Sequence, residues 1–341
     1  MIARLFVLLP FSLTVPEGEQ FPVYEYEDDG YRIRVYPPGR SDRTPAGDGA
    51  EQIKIDGVPA FQADAIRIDF HKESFERGRE SPLDPPEAHM KRAINSFLIR
   101  LRHVTRAGQI RPINFPLATW RLQYFNDDET ELEKDEKLVR GRGTLAFSMS
   151  WIALNKKVWE NVFTLPVDYE PPPWDGLLLD ATVELPSVGP ALVLAATALE
   201  VFISYMLDKL ATLKSIPADL WTWINKRDDR RQEPTIEEQY ESLLRLFAGH
   251  SLKEDPRLWE LFKNLRTARN SFVHEGVAKI GGVPVTNETA LKLIGAAAEI
   301  IAKIREWIPP ELHWPEFKHT IQVEVEKKLI KSEGQSRSGS N

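Results

Sequence analysis

The sequence predicts an α+β fold: a mixed, β-rich N-terminal domain followed by an all-α helical bundle. Up to about residue 180, apolar residues recur at period two in short runs, the mark of half-buried strands. The run Asp168-Tyr169-Glu170-Pro171-Pro172-Pro173-Trp174-Asp175-Gly176 then breaks the pattern, and its consecutive prolines favour a stiff, extended linker. Beyond it the apolar spacing lengthens to three and four residues, which is helical. The expected domains are therefore 1–180 and 186–310, with a Lys- and Ser/Gly-rich tail over 326–341 whose composition points to disorder.

The bulk properties agree with two ordinary cores. At 341 residues, with 42% apolar and 28% charged residues, the chain is long enough for two domains and too apolar to be disordered. Its formal net charge of −7 excludes a uniformly basic nucleic-acid coat but leaves room for a local basic cleft. The absence of cysteine removes disulfides, thiolate–zinc sites and thiol nucleophiles, and fits a reducing cytoplasm.

Met1-Ile2-Ala3-Arg4 before Leu5–Leu9 has the charge order of a signal peptide, but no small-residue cleavage site follows. The expectation is an opening strand of about 5–6 residues, ended by Pro10 and Ser12. No run reaches the roughly 18 apolar residues that a membrane span needs.

Tyr31–Val35, Ala65–Phe70 and Trp120–Phe125 alternate as strands, and Asp28-Asp29-Gly30 supplies hairpin chemistry ahead of the first. Residues 37–50 are rich in Pro, Gly, Ser and Asp and are expected to form a mobile loop. A helix should follow Asp84-Pro85-Pro86 and run to about Arg106, with Ile94, Phe97, Leu98, Leu101 and Val104 inward. Lys91, Arg92, Arg100, Arg102, His103 and Arg106 are expected on a solvated basic face. The carboxylates of 127–136 lack the Gly-centred loop of a calcium site and are expected to be a charged loop. Arg140-Gly141-Arg142-Gly143 should be a turn feeding a strand over Thr144–Met149.

In the second half, a long helix is expected to open around Pro186-Ser187-Val188-Gly189-Pro190 and run to about Lys214, its small residues Ala195, Ala196 and Ala198 allowing close packing. A short helix over 217–225 and a solvated charge run, 226–231, come next. Thr235-Ile236-Glu237-Glu238 has capping-box spacing, and Gly249 should close the helix it opens. A further helix begins with Asp255 as N-cap and Pro256 at its first position, and Gly276 should end it. The last helix, about 288–307, should face Leu291, Ile294, Ala297, Ile301 and Ile304 inward; an alternating stretch, 320–325, lies beyond. There is no internal repeat.

The concentrated chemistry lies near the end of the helix that starts at Asp255. Leu258, Leu261, Phe262, Leu265 and Phe272 form its apolar stripe, and at ~100° per residue Arg269 falls within that stripe. A guanidinium there needs a counter-charge: a carboxylate such as Glu200, or an external anion. Arg266, Asn270 and His274 recur every four residues beside it. His274 is of the type that changes charge near neutrality and suits proton transfer. It lies roughly 140° around the helix from Arg269, so one chain alone does not converge the two.

Arg269-Asn270-Ser271-Phe272-Val273-His274, late in a helix and followed by Gly276, resembles the signature of the HEPN superfamily; Leu265-Arg266 and Ala198-Leu199-Glu200 fit it as well. The resemblance covers about residues 186–308 and leaves the N-terminal half untouched. It implies a helical bundle of HEPN type acting as a homodimeric, metal-independent endoribonuclease that needs no cofactor. His274 would be the general base or acid, Arg269 the stabiliser of phosphoryl charge, Asn270 an orienting group and Arg266 a substrate-binding residue. RNA is then the partner, with no membrane, and a toxin or antiviral effector is the implied role. The same resemblance leaves open a non-catalytic dimerisation or nucleotide- or RNA-binding module. The N-terminal domain, with no catalytic constellation, is left with sensing, docking or oligomerisation through a regulatory partner or ligand.

Overall fold

The computed structural model describes residues 1–41, 51–75, 83–132, 138–140, 152–225, 233–319 and 321–327. The fold is mixed α+β, with an antiparallel sheet early in the chain and most of its helices later. The chain divides into two compact units, Met1–Tyr169 with Phe317–Asn341, and Glu170–Glu316.

In the first unit β1 (Ile2–Pro16) is the axis of the sheet. It is far longer than the five or six residues expected, because a register irregularity absorbs Pro10. Leu8 faces Ala65 and the next pair is Leu13 with Ala63, so the extra residues bulge out where proline could not donate to the ladder. The hairpin of β2 (Tyr24–Asp28) and β3 (Tyr31–Val35) turns through Asp29 and Gly30, at φ of 50° and 80°, which is type I′ geometry. Asp56-Gly57 makes the same turn between β4 (Glu51–Ile55) and β5 (Val58–His71). β5 lies antiparallel to β1, with β3 against its far end, and β6 (Trp120–Phe125) flanks β1 on the other side. β7 (Leu138–Arg140) adds to β6, and β8 (Ile152–Ala153) runs parallel to β1 near Leu13. The C-terminal β11 (Val323–Lys327) pairs with β4, so Glu326 and Lys327, expected in the disordered tail, belong to a strand.

One sheet face is covered by α1 (Glu87–Thr105), which buries the five apolar residues expected of it. α2 (Lys156–Val162) adds Val158, Trp159 and Val162. Two members of the expected solvated basic face are instead in the core, Arg100 at 1% exposure and His103 at 3%. Arg100 donates to the carbonyls of Ser96 and Leu165 and lies over Phe163; His103 meets the Tyr169 hydroxyl at 3.0 Å. Helical periodicity ranks them polar, whereas acceptors from distant segments let them be buried. The expected acidic loop is partly consumed as well, since Glu129 pairs with Arg4 at 3.2 Å and Glu131 accepts from Gln123. Residues 133–136 of that loop, the strand expected over 144–149, most of the 37–50 loop, the 226–231 run and the tail beyond 327 lie outside the described residues.

The second unit opens with α3 (Pro173–Glu184), where an extended linker was expected. The prolines start a helix instead, because Pro173 occupies a first-turn position whose N–H needs no partner. Trp174, Leu178 and Ala181 then bury into the helical core. α4 (Val188–Leu213) is the central helix, with thirteen buried residues among them Ala195, Ala196 and Ala198. By length and composition it could cross a membrane, contrary to the expectation that no such run exists; 56% of its apolar window is buried inside this core.

Around α4 lie α5 (Ala218–Asn225), then α6 (Ile236–Glu238), a π-helical turn (Gln239–Leu243) and α7 (Leu244–Ala248) in continuous succession. The Thr235–Glu238 capping box forms, and Gly249 ends the run at φ 78°. α8 (Pro256–Glu275) and α9 (Asn287–Trp307) pack on α4, with a short hairpin, β9 (Lys279–Ile280) and β10 (Val283–Pro284), between them. Leu291, expected inward on α9, is 54% exposed, while Ile294, Ala297, Ile301 and Ile304 are buried.

Two predictions follow from these cores. A Cβ at Gly189 would fall 2.2 Å from the Phe272 ring, so Gly189→Ala should destabilise the helical unit by about 1–3 kcal/mol through overpacking; chemical denaturation followed by circular dichroism would measure it, and an unchanged midpoint refutes the contact. His71 is 9% exposed, and burial first, then Arg34 and Arg32, lowers its imidazole pKa. The folded chain therefore binds fewer protons there than the unfolded chain, so this contribution is complete above the ordinary histidine range and is lost as pH falls through it. Between about pH 7.5 and about pH 5.5 the melting temperature should drop more in the wild type than in His71→Gln; half-buried His319, shifted the same way, leaves a residual slope in both.

Candidate functional site

The end of α8 holds all four residues singled out in the sequence. The helix is fixed at its start by Asp255, whose side chain accepts from the Leu258 amide at 3.0 Å, with Pro256 in the first turn. At its end Gly276, at φ 75°, returns its amide to the Phe272 carbonyl at 2.8 Å. Beyond that stop, Ser271 Oγ donates to the Val277 carbonyl at 2.8 Å and Glu275 pairs with Lys279 at 2.9 Å. The chain leaving the helix is thus held close beside His274.

The buried stripe is Leu258, Phe262, Leu265 and Ala268, with Leu261 and Phe272 half-buried at its edges. Arg269 was expected on the core-facing seam; the small Ala268 takes the buried position and Arg269 sits half-buried beside it. Its Nη1 donates to Asn270 Oδ1 at 3.0 Å, while its Nε is shielded from solvent and has no partner. Among the described residues no carboxylate forms an ion pair with Arg269, so Glu200 does not fill the role suggested for it. Glu200 acts elsewhere: burial, and then the Glu200 charge, push the Tyr240 hydroxyl well above the ordinary tyrosine range, and that hydroxyl donates to the Leu199 carbonyl at 2.8 Å.

Arg266 is engaged differently. Its guanidinium is ion-paired with Glu237 and lies over the Phe262 ring at 5.7 Å. Glu237 itself stands in the first turn opened by the Thr235 capping box. Asn270 and His274 are exposed, and the His274 side chain forms no hydrogen bond with any described residue. Asn270 and His274 share one line of the helix surface, four residues apart.

The structure thus joins Arg269 to Asn270, leaves His274 free on the same helix end, and ties Arg266 to Glu237. Sequence reasoning missed Glu237 and Ser271. Glu237 had a signal, a carboxylate inside a recognisable capping box, but its partner is 29 positions away; Ser271 had none beyond being a hydroxyl next to a helix stop. Chemically, this arrangement offers a fixed cation with unused donor capacity, an amide to orient a ligand and an accessible imidazole for proton transfer. Among the described residues, no three His, Asp or Glu side chains gather as a metal-binding group. No protein-family model matches the chain, and neither a curated protein nor a solved structure is significantly similar to it.

Proposed function

We propose that the helical unit is a metal-independent endoribonuclease of HEPN type, active as a homodimer and serving as a toxin or antiviral effector. The observation that supports this best is Arg269: a half-buried guanidinium held by Asn270, with no carboxylate among the described residues to neutralise it, one and five residues from the solvent-exposed Asn270 amide and His274 imidazole. A phosphodiester oxygen is the natural counter-charge for such a group. In the reaction the ribose 2′-oxygen attacks the adjacent phosphorus and the bond to the 5′-oxygen breaks, leaving a 2′,3′-cyclic phosphate and a 5′-hydroxyl. One proton leaves the 2′-hydroxyl and one is delivered to the 5′-oxygen; His274 from each of two copies can serve one of these transfers. Arg269 bears the charge that develops on the phosphoryl oxygens, and Asn270 holds Arg269 in place. Arg266, paired with Glu237, would bind substrate only by sharing its guanidinium.

A dimer also suits the surface around the site. Val273, Val277, Val283 and Leu291 are 46–67% exposed on the segment that runs from the end of α8 through the hairpin into α9. Those side chains equally support the second reading, a dimerisation or nucleotide- or RNA-binding module without catalysis.

Purified protein should cleave RNA in excess EDTA, and Arg269→Ala and His274→Ala should each slow cleavage by about 100-fold or more. His274 is exposed, so its variant should melt with the wild type and loss of activity cannot be loss of fold. Cleavage that survives in both variants removes the site assignment. A dimer that never cleaves, seen by sedimentation together with gel assays, favours the second reading.

A further inference from the structure

The sheet of the first unit has a polar face whose composition the proposed nuclease does not use. Side chains alternate across the sheet, so while Leu5, Val7, Ile66 and Ile68 enter the core, their neighbours share the opposite face. In one row across four strands lie Arg34, Asp69, Arg4 and Gln123, and in the next Arg67, Phe6 and Arg121. The second row continues to Tyr36, whose amide bonds the Arg67 carbonyl at 3.0 Å. Cations and rings are interleaved: Arg67 lies 3.8 Å over Tyr36, and Arg121 lies 4.8 Å over Phe6.

The carboxylates do not cancel this face. Asp69 is wholly buried and holds Arg4 at 3.0 Å while also bonding Arg67, so it orients two guanidiniums. Glu25, on β2, pairs with Arg34 at 2.6 Å and lies 3.9 Å from Arg32, which shares this face, and Glu129 pairs with Arg4 at 3.2 Å and lies 3.9 Å from Arg67; both glutamates are exposed and offset only part of the arginine charge. Arg121 has no ion pair or hydrogen bond with any described residue. A flat guanidinium laid on a ring, without a counter-charge, offers its outer plane for stacking and its edge for phosphate.

We propose that this face binds single-stranded nucleic acid, with bases stacked on the Arg121 and Arg67 planes and phosphates drawn to Arg32 and Arg34 at the edge. Duplexes hide the base faces that such a platform uses, and four antiparallel strands give room for two or three stacked bases. The site belongs to the first unit alone and stands whether or not the helical unit cleaves RNA.

The test uses the full chain carrying His274→Ala, in EDTA, with fluorescent oligouridylate, oligothymidylate and duplex RNA of about twelve nucleotides as anisotropy probes. Both single strands should bind more tightly than the duplex, and the difference between the two identifies RNA or DNA as the source. Adding Arg121→Glu should weaken single-strand binding by about tenfold or more and Arg121→Gln by less. Arg121 makes no hydrogen bond with a described residue, so both variants should keep their melting temperature. Lys292→Glu, an equal charge change on the exposed side of α9, should leave binding unchanged. Absence of single-strand binding, equal affinity for duplex, or an Arg121→Glu effect no larger than that of Lys292→Glu overturns the proposal.

Discussion

The ring of Phe272 rests directly on Gly189, so closely that a single added carbon would lie 2.2 Å from it. This contact locks the last turns of α8 to the first turn of α4, and much else in the helical unit depends on it. α4 is the most buried helix of that unit, so whatever is anchored to it is fixed in space. Phe272 lies between Arg269 and His274 in sequence, so the candidate site is borne by a turn of α8 that is anchored to α4. A polar cluster can hold a reacting group only if its backbone does not drift, and here a glycine on the neighbouring helix makes that possible.

A comparable constraint governs the sheet. Asp69 is wholly buried, yet it sits among arginines and not in the apolar core. Removing such a carboxylate would leave Arg4 and Arg67 only the exposed Glu129, whereas with it both guanidiniums are held where they meet Phe125 and Tyr36. β1 carries this arrangement because it pairs with β5 and β6 on either side, which is how a sequence-local arginine at position 4 comes to meet residues from two distant segments.

What the sequence revealed depended on range. Helix ends were legible at Asp255-Pro256, Thr235–Glu238, Gly249 and Gly276, and the Asp29-Gly30 turn as well, because each is decided by a side chain or a φ value within a few residues. The strand β4 could have been read the same way from Asp56-Gly57. The continuation of β1 past Pro10, the burial of Arg100 and His103, and α3 in place of a linker were not legible. Each is decided by a distant partner: the register on β5, the Leu165 carbonyl and Tyr169, and the α4 surface. In the candidate site, the positions of Arg269, Asn270 and His274 along one helix followed from periodicity. That Ala268 would displace Arg269 from the seam, and that Glu237 would occupy Arg266, did not.

The same geometry bears on how the site would work. Arg269 is bonded to its neighbour Asn270 and sits on the flank of the seam, while His274 is exposed in the final turn and its side chain bonds no described residue. Side chains five residues apart on a helix point roughly 140° apart, and α8 stays helical through Glu275. On the proposed reading, Arg269 and Asn270 of one chain would supply the anion-binding half of a site and His274 the proton-transferring half of another. A two-fold axis near the exposed Val273 would set each half against its complement and bury the apolar side chains around it in the same step. Catalysis and dimerisation would then draw on the same few turns of α8, so a substitution that broke the interface would silence the chemistry without touching a polar residue.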